Sequence, residues 1–112
     1  MLIKRCDVFY ADLNPAIGSE QGGIRPVLVV QNDIGNMHSP TLVILPISSA
    51  KKPNLPVHVK VDKSDLLKEG SIALAEQIRT IDKCRLKSYV GSLDAEVMKQ
   101  VNEVIKISLE VS

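Results

Sequence analysis

Aromatic side chains are scarce: one Phe, two Tyr and no Trp in 112 residues. That disfavours a nucleic-acid binder that stacks successive bases on aromatic platforms. A net excess of charge is missing too, because 14 basic residues face 13 acidic ones and leave +1. A broad, histone-like electrostatic binder is thereby excluded, and any nucleic-acid site must be a local pocket. The two cysteines, Cys6 and Cys84, are far apart, with no C-x-x-C and no histidine at metal-ligand spacing. They are expected to be reduced thiols, with no metal and no cofactor. No apolar run approaches the ~20 residues of a membrane span, and the start, Met1-Leu2-Ile3-Lys4-Arg5, lacks a signal-peptide core. The expectation is a soluble, cytoplasmic protein with no membrane partner. What is present is 45% hydrophobic and 24% charged residues without repeat or linker, enough for one packed domain over 1–112.

Val8-Phe9-Tyr10-Ala11 reads as a first strand. A long loop, Asn14 to Gly23, follows with three glycines and a proline; such loops within compact domains are often functional. Pro26 to Gln31 is β-branched and apolar, a strand buried on both faces. Asn32 to Asn36 reads as a turn and Thr41 to Leu45 as a third strand, with Pro46 marking the strand's edge or end. Val57 to Val61 alternates apolar and polar, as a half-buried strand does. Ser71 to Ala75 and the neighbourhood of Tyr89-Val90 suggest two further strands. From a cap at Asp94, with Glu96 in the first turn, Val97, Met98, Val101, Val104 and Ile105 recur at helical spacing. Five or six strands with one C-terminal helix predict an α+β domain with a small, strongly curved sheet.

The passage Gly18-Ser19-Glu20-Gln21-Gly22-Gly23-Ile24-Arg25-Pro26-Val27-Leu28-Val29-Val30-Gln31-Asn32-Asp33 resembles the MazF/PemK/Kid family of toxin endoribonucleases. Asp7 to Leu13, the run Glu76-Gln77-Ile78-Arg79-Thr80-Ile81-Asp82 and the terminal helix continue the likeness in order along essentially the whole chain. The resemblance implies an SH3-like β-barrel of CcdB/PemK type with a C-terminal α-helix, assembled as a homodimer. It implies ribosome-independent, metal-free, sequence-selective cleavage of single-stranded RNA, silenced by a cognate antitoxin. It makes Arg25 catalytic, together with the hydroxyl at the end of the third strand, here Ser48; many relatives carry Thr there. Ser49 is one register place away. Ser19, Glu20, Gln21, Gly22, Gly23, Asn32, Ser49, Glu76 and Gln77 become the RNA-binding set. Glu76 stands where some relatives place a catalytic Asp with an Arg two places earlier. Leu74 occupies that earlier position, so Glu76 is assigned to binding. Cys6 stands where relatives often have Gly.

The residue types suit that chemistry. RNA brings its own nucleophile, the 2′-hydroxyl, and a guanidinium fork matches two phosphoryl oxygens while staying charged. A serine hydroxyl can donate to a phosphoryl oxygen but is no base at neutral pH unless activated. Glycines admit close backbone approach or positive φ, while Glu and Gln can read base edges.

Plainer roles stand beside these. Arg25 could pair with Glu20 on the surface, Arg79 could pair with Asp82 as readily as contact phosphate, and Asn32 could shape a turn. Asp7 and Asp12 read as strand-edge solvation, and Lys51 and Lys52 as a solvated loop tip. His38 and His58 show no partner in the sequence. A non-enzymatic, CcdB-like toxin acting on DNA gyrase is the rival function. The chain's end, Ser108-Leu109-Glu110-Val111-Ser112, lacks the aromatic anchor such a contact would use.

Overall fold

The computed structural model describes residues 2–49, 55–62 and 65–112; Lys51 and Lys52 lie outside these residues. Seven strands form one antiparallel sheet: β1 (Asp7–Asp12), β2 (Ile24–Val29), β3 (Thr41–Ser48), β4 (His58–Lys60), β5 (Ile72–Leu74), β6 (Arg79–Asp82) and β7 (Leu86–Ser92). The path runs β4-β5-β3-β2-β1-β7, with β6 also paired to β3. A short helix α1 (Asp33–His38) precedes β3, and α2 (Ala95–Leu109) closes the chain. This is the expected α+β architecture, a small antiparallel sheet with a C-terminal helix.

Side chains on a strand alternate between faces, and here both faces are apolar. Val8, Leu28, Leu45 and Ile47 pack on one side with Val59, Ala73 and the α2 residues Val97, Met98 and Val101. Their neighbours Phe9, Val27, Val29, Leu42 and Ile44 turn to the other side and pack with Leu13 and Ile81. Continuous apolar runs such as Val27-Leu28-Val29, all without solvent exposure, are what a sheet buried on both sides requires. The carboxylate of Asp94 accepts from the Val97 amide at 2.9 Å and caps α2, as its sequence position predicts.

The structure corrects several expectations. Of the two readings of Pro46, strand end fails and edge holds: β3 continues to Ser48, with Pro46 opposite Val27. Pairing with β6 runs through Ile44 and pairing with β5 begins at Ile47. Pro46 falls between them, where no strand on that edge asks for an N–H. The expected turn after β2 is a helix: Asn32 accepts from the Gly35 amide at 2.8 Å and caps α1. Strand β6 was hidden because its four residues carry three polar side chains, and only Ile81 is buried. Asp7 is no solvated edge residue. It is buried, accepting from the Lys4 amide and the Ser92 hydroxyl.

Candidate active site

The loop between β1 and β2 is stitched at its base before it reaches outward. Leu13 and Gly23 share a backbone hydrogen bond, the Asn14 side chain accepts from the Gly23 amide at 2.9 Å, and Arg85 donates to the carbonyls of Asp12 and Asn14. Two glycines do different work here. Gly23 has φ +76, and a Cβ on Gly22 would stand 2.8 Å from the Cβ of Ala16. The first needs a left-handed backbone, the second close approach.

The loop is then held against the 3₁₀ turn Ala75–Gln77 by a single side chain. The Gln77 amide accepts from the Gln21 N–H at 2.8 Å and donates to the Ser19 carbonyl at 3.3 Å. This brings Ser19, Glu20, Gln21, Glu76 and Gln77 around one cavity of about 470 Å³, with Arg79 beside them. Five of the expected RNA-binding residues thus share one wall-to-wall site. Glu20 does not pair with Arg25; its carboxylate accepts from the Ile17 amide at 2.8 Å. Arg79 donates to the Leu13 carbonyl, while Asp82 accepts from the Cys84 amide instead of pairing with Arg79.

Arg25 is the second residue of β2, opposite Ala11. Its Nε donates to the Gly22 carbonyl at 2.8 Å. That tether fixes the plane of the guanidinium and leaves its two terminal nitrogens as a fork. Arg25 and Ser49 line a second cavity, of about 340 Å³. Ser48 is placed differently. It pairs with Ile72 and is 1% exposed, whereas Ser49 next to it is exposed. Asn32 is not brought to either cavity. It follows the far end of β2, roughly 20 Å from Arg25 at ~3.3 Å per strand residue, with its side chain committed to the α1 cap.

Some site residues escaped the sequence. The His58 side chain is 2% exposed, and its Nε2 lies 2.9 Å from Glu76 Oε2. The Leu55 amide donates to its Nδ1 at 3.3 Å, so Nε2 carries the proton and donates to the carboxylate. A histidine with no visible partner in the chain therefore orients a predicted binding residue. The signal was spatial, because β4 lies beside β5 in register, His58 opposite Leu74. Leu74 itself is fully buried, a core residue. Tyr10, Lys68 and Ser71 also line the Arg25 cavity. Tyr10 lies in the Asp7 to Leu13 stretch without having been assigned a role, and Lys68 and Ser71 stood in no recognisable motif.

A sequence model of the PemK-like, MazF-like toxin of type II toxin-antitoxin systems matches residues 4–109. The chain belongs to this family. Among curated MazF-family relatives it is 52% identical over 111 residues to Endoribonuclease EndoA of Bacillus subtilis, covering 97% of this chain and 96% of that one. It is 49% identical over 110 residues to Endoribonuclease MazF of Staphylococcus saprophyticus, covering 96% and 92%. Crystalline MazF from Deinococcus radiodurans superposes with a TM-score of 0.86 at 24% identity, covering 98% of each chain. A mycobacterial endoribonuclease in complex with its cognate antitoxin gives 0.80 at 24% identity, covering 99% of this chain and 96% of that one. At that identity the superpositions speak for the fold of the PemK/MazF toxins. The CcdB-like alternative is not favoured, since the family and both curated relatives are endoribonuclease toxins.

Proposed function

We propose that this PemK/MazF-family toxin is a sequence-selective endoribonuclease that cuts single-stranded RNA without a metal ion, with Arg25 as its principal catalytic residue. The observation that carries the mechanism is the tethered guanidinium: Nε is engaged by Gly22, in a residue that lines a cavity. In the reaction the substrate 2′-oxygen attacks the adjacent phosphorus and gives up its proton. The P–O5′ bond breaks, and the leaving oxygen gains a proton. The products are a 2′,3′-cyclic phosphate and a 5′-hydroxyl. Arg25 neutralises the phosphorane, where charge is densest. A pre-organised donor of this kind contributes roughly 3 kcal/mol or more.

A serine hydroxyl assists by donating to a phosphoryl oxygen. Ser48 is the assigned residue, and its burial means the cavity wall must part to admit phosphate to it. Ser49 lies at that wall already. The neighbouring cavity, with Glu20, Gln21, Glu76 and Gln77, reads bases. The cognate antitoxin acts by covering this surface, and the toxin works as a cytoplasmic homodimer. Support for an antitoxin partner comes from the solved complexes of MazE with MazF in Deinococcus radiodurans. Among the described residues no helix is long and apolar enough to cross a membrane.

The test is a mixed single-stranded RNA pool incubated with EDTA, both ends of every product being mapped. Discrete cuts with cyclic-phosphate and 5′-hydroxyl ends are expected, and Arg25→Ala should lower the rate about 100-fold or more. Cleavage within a few-fold of wild type in Arg25→Ala would overturn the mechanism. Ser48→Ala and Ser49→Ala, compared side by side, assign the hydroxyl. The residue that acts loses about 1–3 kcal/mol in rate.

A further inference from the structure

The Arg25 cavity contains more charge than the proposed reaction uses. Lys68 lines it together with Arg25, Tyr10, Ser49 and Ser71, and no carboxylate is among its lining residues. Two cationic residues and three hydroxyl-bearing ones in the lining of one space of about 340 Å³ suit an anion. Lys68 is not there by accident of a loose loop. Its carbonyl accepts from the Ser71 amide at 3.0 Å, closing a turn in which Gly70 takes φ +85. The Gly70 amide donates to Asp62 at 2.7 Å. At the other end of the segment, Leu66 packs onto Gly91 of β7, so closely that a Cβ there would lie 2.7 Å from Leu66 Cδ1. The segment is thus tied down on both sides of Lys68. Among the described residues Lys68 makes no ion pair.

Resting on the ribonuclease reading above, we propose that Lys68 is a second phosphate-binding cation, holding an RNA backbone phosphate next to the one gripped by Arg25. An ammonium on a flexible stem suits this task. It neutralises a phosphate as a point charge without needing the fixed fork geometry demanded at the reacting centre. Arg25 then acts on the bond that breaks, and Lys68 on the strand's position.

The experiment measures binding and cleavage separately. Binding uses a mixed-sequence single-stranded oligonucleotide with 2′-deoxy sugars, which has no nucleophile and cannot be cut, titrated across a salt series. Lys68→Gln should weaken binding and make the slope of log K against log salt shallower by about 0.7, the value for one phosphate contact on a single strand. Lys68→Arg should keep the wild-type slope. Cleavage of the RNA pool should show a raised KM and a kcat within about twofold of wild type, the reverse of Arg25→Ala. An unchanged slope in Lys68→Gln, an equal loss in Lys68→Arg, or no binding of the oligonucleotide by the wild type would overturn the proposal. If the wild type binds but cuts no RNA, the ribonuclease reading fails while the slope still decides the role of Lys68.

Discussion

At the scale of single residues, Cys6 shows how a sequence oddity becomes legible only in three dimensions. Its φ is +86, in the region that side chains with a Cβ avoid. Its amide donates to the Val29 carbonyl and its carbonyl accepts from Leu93, so the backbone is held there from both sides. Burial first, then the nearby carboxylates of Asp33 and Asp7, hold its thiol above the ordinary cysteine range despite Arg5. It therefore packs as a small apolar group. Cys6→Gly should relieve about 1 kcal/mol of backbone strain, read as a higher melting temperature in a paired thermal melt. A lower melting temperature would mean that sulfur packing outweighs the strain. His58 teaches the same lesson at the site: nothing in its local sequence reveals that Glu76 is its hydrogen-bond partner.

Among the elements, long apolar runs and capped amphipathic segments could be read from the chain, and elements made by context could not. Strand β2 and helix α2 announce themselves through Val27-Leu28-Val29 and through Asp94 with Val97, Met98 and Val101. Helix α1 does not, since Ile34 and Met37 point outward and Asn32 looks equally like a turn former. Strand β6 is fixed by pairing with β3, a relation no local pattern encodes. The candidate site divides the same way. The glycine loop, Arg25, Glu76 and Gln77 were visible as motifs, but Lys68 and Tyr10 join them only through the fold. The loop offers a direct test. In Gly22→Ala the new methyl meets the Cβ of Ala16, which has no rotamer freedom to retreat, so the backbone must shift. The expected result is a loss of cleavage of about tenfold or more with little change in melting temperature, because a ~1 Å displacement of positioning groups is felt strongly in rate. Full activity would show that the close approach of Gly22 to Ala16 is not needed for cleavage.

For the whole molecule, acid is the informative perturbation. Asp33 is held below the usual carboxylate range, first by the Arg5 amide, from a segment 28 residues away, and then by Asn36. Asp82 is held low chiefly by the Cys84 amide. In both cases the unfolded chain takes up protons at a higher pH than the folded one, so stability rises with pH through that interval. The contribution is full above the ordinary Asp value of about 3.9, and it disappears as pH falls through the lower folded values. Asp33→Asn and Asp82→Asn should therefore melt below wild type at neutral pH and converge with it in strong acid; a gap that persists there would place the cause elsewhere. At this scale the Gln77 clamp also takes on a different meaning. The amide assigned to reading a base is already occupied at both ends, by the protein's own Gln21 and Ser19. On the proposed reading, the toxin thus holds an internal partner on this amide, and a nucleotide that needs the same donor and acceptor competes with it. A base that supplies both a donor and an acceptor replaces both bonds. One that supplies a single partner leaves a group unsatisfied, at about 1–3 kcal/mol, so incumbency itself becomes a source of selectivity.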